Sequence, residues 1–167
     1  SINRKDENFM INYGAPLTYS QWTNAWNDSS ISDIDCLARV IYAEDTRYID
    51  GEYAVAKEIY NRKHSGNPKL FSRDKKNLTW KNILFNGHYD TATGPAKNCQ
   101  NAMCPTMGNE WTNCIARATE LVNGGVPSSS LGFQKYHRAS SVDVSSFDKV
   151  DTSTIKTIGG NTFFDYL

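Results

Sequence analysis

The 167-residue sequence has no net charge, with 18 lysines and arginines against 18 aspartates and glutamates. A balanced chain lacks the basic face on which duplex nucleic acid binds, so no nucleic acid partner is expected. Also missing is any apolar run of about 18 residues, the length a membrane-spanning helix needs. Proline (5) and glycine (11) are too sparse for a collagenous or low-complexity chain, and 39% apolar residues are too many for a disordered one. Histidine is scarce: His64, His88 and His137 are scattered, with no H-E-x-x-H motif. The cysteines Cys36, Cys99, Cys104 and Cys114 form no paired C-x-x-C, so no metal site is expected. No internal repeat occurs, and no secretory leader opens the chain. Ser1-Ile2-Asn3-Arg4-Lys5 is polar from the outset, which reads as a processed form or a piece of a longer protein.

The length suits one domain able to bury a core without staples. Residues 1–31 are polar but carry Tyr13, Tyr19, Trp22 and Trp26, and read as an N-terminal arm or linker. Trp22 and Trp26, four apart, are placed to share one helical face, either packed on the domain or stacking on a ligand. Residues 32–167 read as the domain proper. Ser32 with Asp35 resembles a capping box, and a helix follows over 36–45. Asp50-Gly51 reads as a break before a second helix over 52–63, with Glu58 and Arg62 in the favourable i, i+4 order. Residues 78–85 and 111–122 read as two more helices, the last stopped by Gly124-Gly125. Residues 87–110 show no periodicity and read as a long loop. Residues 131–138 and 154–166 read as short extended or irregular segments. The expected class is mainly α, of α+β type.

Cys36 and Cys114 fall on helical positions and read as small buried hydrophobes. Cys99 and Cys104 lie in the long loop, where a short disulfide is open to them in an oxidising compartment. A Cys–His nucleophile pair with His88 or His137, as in a peptidase or amidase, has the right residue types but no local motif.

One residue is out of place. Leu37, Val40, Ile41, Glu44 and Tyr48 fall on one face at helical period, so Glu44 sits on the apolar stripe. A carboxylate there must pair or keep its proton. Pairing would use Arg39, Arg47 or Arg62. Keeping the proton would make Glu44 a general acid, the kind of group glycosidic cleavage uses.

Leu37-Ala38-Arg39-Val40-Ile41-Tyr42-Ala43-Glu44, then Ala54-Val55-Ala56 and Asn61-Arg62, resemble the opening of the SleB/CwlJ cell-wall hydrolase family. The likeness continues through Gly87-His88-Tyr89-Asp90, Leu121-Val122-Asn123-Gly124 and Leu131-Gly132-Phe133, and closes on Ile158-Gly159-Gly160-Asn161-Thr162-Phe163-Phe164. It runs over about residues 32–166 in order. The family usually has Gln-Phe where this chain has His88-Tyr89, and His-x-Phe-Tyr where it has Asn161-Thr162-Phe163-Phe164.

The resemblance implies a lysozyme-like helical domain with a short C-terminal β-hairpin or irregular strands, and Glu44 as the catalytic acid. It implies cleavage of peptidoglycan glycan strands at the cell envelope or outside the cell. The wall could be vegetative, a spore cortex, or that of a phage's host. In a lytic transglycosylase the acid protonates the glycosidic oxygen and then takes the proton of the C6 hydroxyl as a 1,6-anhydro ring closes, without a second carboxylate. A second group, from Asp45, Asp90 or Glu110, would turn the outcome to hydrolysis. Neither route requires a metal or organic cofactor. Tyr89, Phe133 and Tyr136 are expected as walls of the sugar groove or as packing residues, Asn161 as a substrate contact, and Arg62 as a helix-pair tie or substrate contact. The 87–110 loop is expected to border the cleft. The alternative is a non-catalytic wall-binding or structural module of the same fold, to which the altered residues at His88 and Asn161 would suit.

Overall fold

The computed structural model describes residues 13–167; residues 1–12, with the polar opening and the first part of the expected arm, lie outside the described residues. Helices come first along the chain and a three-stranded sheet last, a mixed α+β fold. Helix α1 (Tyr19–Thr23) opens with a capping box between Thr18 and Gln21. It ends before Trp26, which sits in a separate 3-10 turn (Ala25–Asn27), so Trp22 and Trp26 do not share a helix face. Trp22 is fully buried, its indole N–H donating to the Thr91 carbonyl at 2.7 Å, and has no face left for a ligand. Trp26 lies 3.9 Å from the Arg73 guanidinium, measured to the ring centroid.

Helix α2 (Asp33–Glu44) is the axis of the fold. The Ser32 side chain accepts the Asp35 N–H at 3.1 Å. Asp35 does not return the favour; it takes the Gly14 N–H and pairs with Arg39, both at 2.9 Å. Every residue from Asp35 to Tyr42 is buried, so α2 is enclosed all round and not only along a stripe. Arg39 is tolerated inside because it also donates to the carbonyls of Ala15, Ala102 and Met103.

Helix α3 (Ile49–Lys63) starts ahead of the expected position, and Asp50-Gly51 lies within its first turn instead of breaking the chain. Gly51 is there for space. A Cβ at this position would run into the Asp45 carboxylate, which passes directly over it. Gly51→Ala is therefore expected to cost about 2–4 kcal/mol, the overpacking range at its upper end. A fall in urea midpoint at unchanged slope would register it, and an unshifted midpoint would mean that Asp45 can move aside.

Two short helices follow, α4 (Pro68–Phe71) and α5 (Trp80–Leu84). The stretch expected to be irregular contains α6 (Asp90–Thr93) and α7 (Ala96–Met103). Their buried residues are the small Ala92, Cys99 and Ala102, too few and too slight to print a period on the sequence. Helix α8 (Asn109–Val122) buries Trp111, Cys114, Ala118 and Leu121 against α2 and α3, and Gly124 at φ +85° closes it.

The strands are β1 (Tyr136–Ala139), β2 (Val150–Ile158) and β3 (Asn161–Tyr166), antiparallel in the order β1-β3-β2. Gly159, at φ +58°, and Gly160 split the expected 154–166 segment into a hairpin. The register of β2 on β3 shifts between Asp151 and Lys156. The approach to β1 is laced to α3: Asn61 donates to the carbonyls of Gly132 and Gln134, and the Arg62 Nε–H to that of Lys135 at 2.8 Å.

Candidate functional site

Where α2 ends against the sheet, a cleft of about 750 Å³ opens. Glu44 is the last residue of α2. Its backbone carbonyl accepts from the Asn161 Nδ2–H at 3.0 Å, and the next residue, Asp45, accepts the Gly160 N–H at 3.0 Å. The β2–β3 turn thus pins the helix terminus. Burial pushes the Asp45 carboxyl up, against the backbone N–H groups of Gly160, Arg47 and Tyr48 that pull it down.

The Glu44 side chain, 12% exposed, accepts at both oxygens. Thr91 Oγ–H donates to Oε1 at 2.8 Å, and His137 Nε2 lies 3.0 Å from Oε2. The other ring nitrogen of His137 faces Glu58, with Nδ1 at 3.0 and 2.9 Å from its two oxygens. Glu58 is fully buried and also accepts the Tyr89 O–H at 2.8 Å. Tyr89, Glu58, His137, Glu44 and Thr91 therefore form one chain of hydrogen bonds, from the core to the cleft.

Burial alone would lower the His137 pKa. The charge of Glu58 and the hydrogen bonds of Glu44 and Glu58 outweigh it, and push the imidazole up to about 10. Burial would raise Glu58, but the His137 cation, then Arg62 and the Tyr89 hydroxyl, hold it below the usual carboxylate range. His88 moves the other way, lowered by burial and by Arg62, whose Nη1 donates to its Nδ1 at 3.1 Å. The Arg62 guanidinium lies over the rings of Tyr89, Phe71 and Tyr136 at 4.8, 5.1 and 5.7 Å.

The structure brings Glu44, Tyr136, Asn161 and Arg62 to one cleft. It also redistributes several expected roles. Glu44 pairs with His137, not with Arg39, Arg47 or Arg62. Glu58 turns to His137 and Tyr89 while Arg62 turns to Lys135, so their i, i+4 spacing produces no ion pair. Tyr89 is sealed in the core because its hydroxyl serves Glu58, and it cannot form a groove wall. Phe133 is 83% exposed and stands off the cleft lining. Of the proposed second carboxylates, Asp90 lines the cleft, Asp45 is spent on backbone N–H groups, and Glu110 lies away on α8. From the 87–110 stretch, Gly87, His88, Asp90 and Thr91 reach the cleft.

All four cysteines are free thiols. Cys99 is buried on α7 with its Sγ toward the Asp90 and Gly94 carbonyls, while Cys104 is exposed, so they form no bridge. Neither lines the cleft, and His137 is held by carboxylates, so the Cys–His pair is not assembled. Among the described residues no cluster of His, Cys, Asp or Glu is placed to hold a metal ion.

Thr91, and the roles of His137 and Glu58 behind Glu44, are what the sequence reading misses. Glu58 had a signal: it lies three residues after Val55 and beside Ile59, on the apolar face of its helix, as Glu44 does on α2. His137 had only strand alternation.

Fold and cleft together define a mixed α+β protein with a hydrogen-bonded glutamate at the mouth of a polar cleft. Compared with family models, curated proteins and solved structures, the chain matches none of them. No described helix is long and apolar enough to cross a membrane.

Proposed function

We propose that this protein cleaves the glycan strands of peptidoglycan at the cell envelope or outside the cell, on a lysozyme-like arrangement of helices, with Glu44 as acid and then base. The observation that carries the reading is the placement of Glu44: a carboxyl group at a helix terminus, fixed by Thr91 and His137, in a cleft lined by polar side chains. The ordered resemblance of residues 32–166 to the SleB/CwlJ family supports the same assignment. As the muramyl C1–O bond breaks, Glu44 gives its proton to the glycosidic oxygen. The carboxylate then takes the proton of the C6 hydroxyl, whose oxygen closes on C1. Tyr136 supplies an aromatic wall, and Asn161 acts by holding the end of α2.

Asp90 is the carboxylate of the cleft lining left free to activate water in place of the C6 hydroxyl. Mass spectrometry of fragments released from purified sacculi decides between the routes. Anhydro-muramyl ends are expected, since Glu58 is shut behind His137 and cannot serve a water on the far face of the sugar. Free reducing ends that disappear in Asp90→Asn would make the enzyme a muramidase. Sacculi that bind the protein but yield no fragments at any pH would leave a wall-binding module.

A further inference from the structure

We propose that the proton Glu44 delivers is stored on the Glu44–His137 pair and ordered by Glu58, which makes His137 and Glu58 positioning residues for the reaction. This rests on the reading of Glu44 as acid and base. The geometry is a continuous line, Glu58 to His137 Nδ1 at 2.9 Å and His137 Nε2 to Glu44 Oε2 at 3.0 Å.

Delivery at neutral pH needs a group that still holds a dissociable proton. The two side chains that touch the Glu44 carboxyl are Thr91 and His137. A threonine hydroxyl does not ionise in this range, so the store is the imidazole. Two carboxylates around one imidazole favour its doubly protonated form, with one N–H on each.

The step balances without any outside acid. The proton passes from His137 Nε2 to Glu44 and leaves a neutral imidazole, whose Nδ1–H stays on Glu58. Glu44 releases the proton to the glycosidic oxygen as the C1–O electron pair departs with the leaving sugar. The C6 hydroxyl oxygen then bonds to C1, its proton returns to Glu44, and from there to Nε2. Glu58 fixes which nitrogen keeps its proton, as an orienting carboxylate does behind a catalytic imidazole.

The titratable groups that face His137 are Glu44 from α2, Glu58 from α3 and Tyr89 ahead of α6, whose ring centroid lies 6.0 Å from the imidazole. From β3 the ring of Phe163 packs on it at 5.6 Å and brings no charge. Arg62 lies over the Tyr89 ring and not against the imidazole, and Arg138 sends its Nη1–H to the His137 carbonyl at 2.9 Å. The imidazolium is therefore governed by the two glutamates.

A structural ion pair would tie β1 to the helices and nothing more, and the pH profile separates the two roles. His137→Gln keeps an N–H for Glu44 but cannot pass a proton. It is expected to lower kcat about 10²–10³-fold, the usual reach of acid–base assistance, with KM little changed. Glu58→Gln is expected to lower kcat at pH 6 by about tenfold or more, because the imidazole loses the carboxylate that orders its ring nitrogens, and to move the alkaline limb down by a pH unit or more. Both are read by fragment release from sacculi, with circular dichroism to confirm folding.

Should either variant fail to fold, nitrogen NMR of His137 in the parent protein decides. Two protonated ring nitrogens at pH 8, with one lost in step with the alkaline limb of fragment release, support the store; a neutral ring at pH 8, or a titration that leaves the activity unmoved, overturns it. Folded variants with the parent's kcat and alkaline limb also overturn it. Those outcomes leave the Glu44 assignment standing, whereas full activity in Glu44→Gln removes the assignment itself.

Discussion

Glu44→Gln should reduce the release of fragments from sacculi by about 10³-fold or more, within the range that acid–base groups contribute, and leave the fold intact. The substitution keeps the side chain's shape. Its amide oxygen can still accept from His137 Nε2, and its NH₂ then faces the Thr91 hydroxyl, which rotates from donor to acceptor. No buried polar group is orphaned, so the thermal midpoint should stay within a few degrees. What disappears is the capacity to give and retake a proton. Binding of the variant to sacculi should persist, because the cleft walls are untouched. A Glu44→Gln protein that digests sacculi at the parent rate ends the glycan-cleavage reading.

The second large effect concerns stability. Glu52 is fully buried on α3 facing α8; Asn113 Nδ2 donates to its Oε1 at 2.9 Å, while Oε2 has no hydrogen-bond partner. Burial pushes its carboxyl up to about 7; the Glu110 and Asp45 charges add to the rise, and hydrogen bonds from Asn113 and Cys114 oppose it. The folded protein therefore keeps this proton over a range where the unfolded chain, near 4.5, has lost it. The contribution to stability is full below about 4.5 and declines as the pH rises to about 7, a loss on the order of 2–3 kcal/mol.

His137 also loses stability with rising pH, but in the window from 6.5 to about 10, and Glu58, held low, loses it only on acidification. Glu52→Gln mimics the protonated acid and removes one of these terms alone. Urea unfolding at pH 5 should find parent and variant within about 1 kcal/mol. At pH 8 the variant should be the more stable by about 2 kcal/mol. Parallel curves across that range would show that Glu52 is ionised inside the fold and paired by other means.

The long helices were legible because each buries large residues at a regular interval: Leu37, Val40 and Ile41 announce α2, Val55 and Ile59 α3, and Trp111 to Leu121 α8. Helices α6 and α7 were not, since Ala92, Cys99 and Ala102 look like loop residues to any pattern based on bulk. The start of α3 was misplaced because Asp50-Gly51 is a turn signal in isolation. In the fold that glycine lies inside the helix and serves another need, the space taken by the Asp45 carboxylate that passes over it. Within the site, Glu44 betrayed itself by sitting where an apolar residue belongs. Its true partner is 93 residues further on, beyond the reach of any local spacing rule. Whether Tyr89 walls the groove or packs inside stays open in the sequence, because nothing nearby shows that its hydroxyl has a buried carboxylate to serve.

That separation has a consequence for how the molecule assembles. The contacts that join helices to sheet at the site link positions 79 (Glu58–His137), 93 (Glu44–His137), 115 (Asp45–Gly160) and 117 (Glu44–Asn161) residues apart. Loops of that length close late, after neighbouring helices have found one another. Until β1 docks, Glu58 lacks the imidazole that carries its closest counter-charge and has Arg62 of its own helix alone to offset its burial. Arrival of the imidazole lets that carboxylate leave water, and the same event completes the cleft. The contacts that enclose the buried carboxylate are thus the same ones that build the cleft, so a change that loosens β1 is expected to weaken both together.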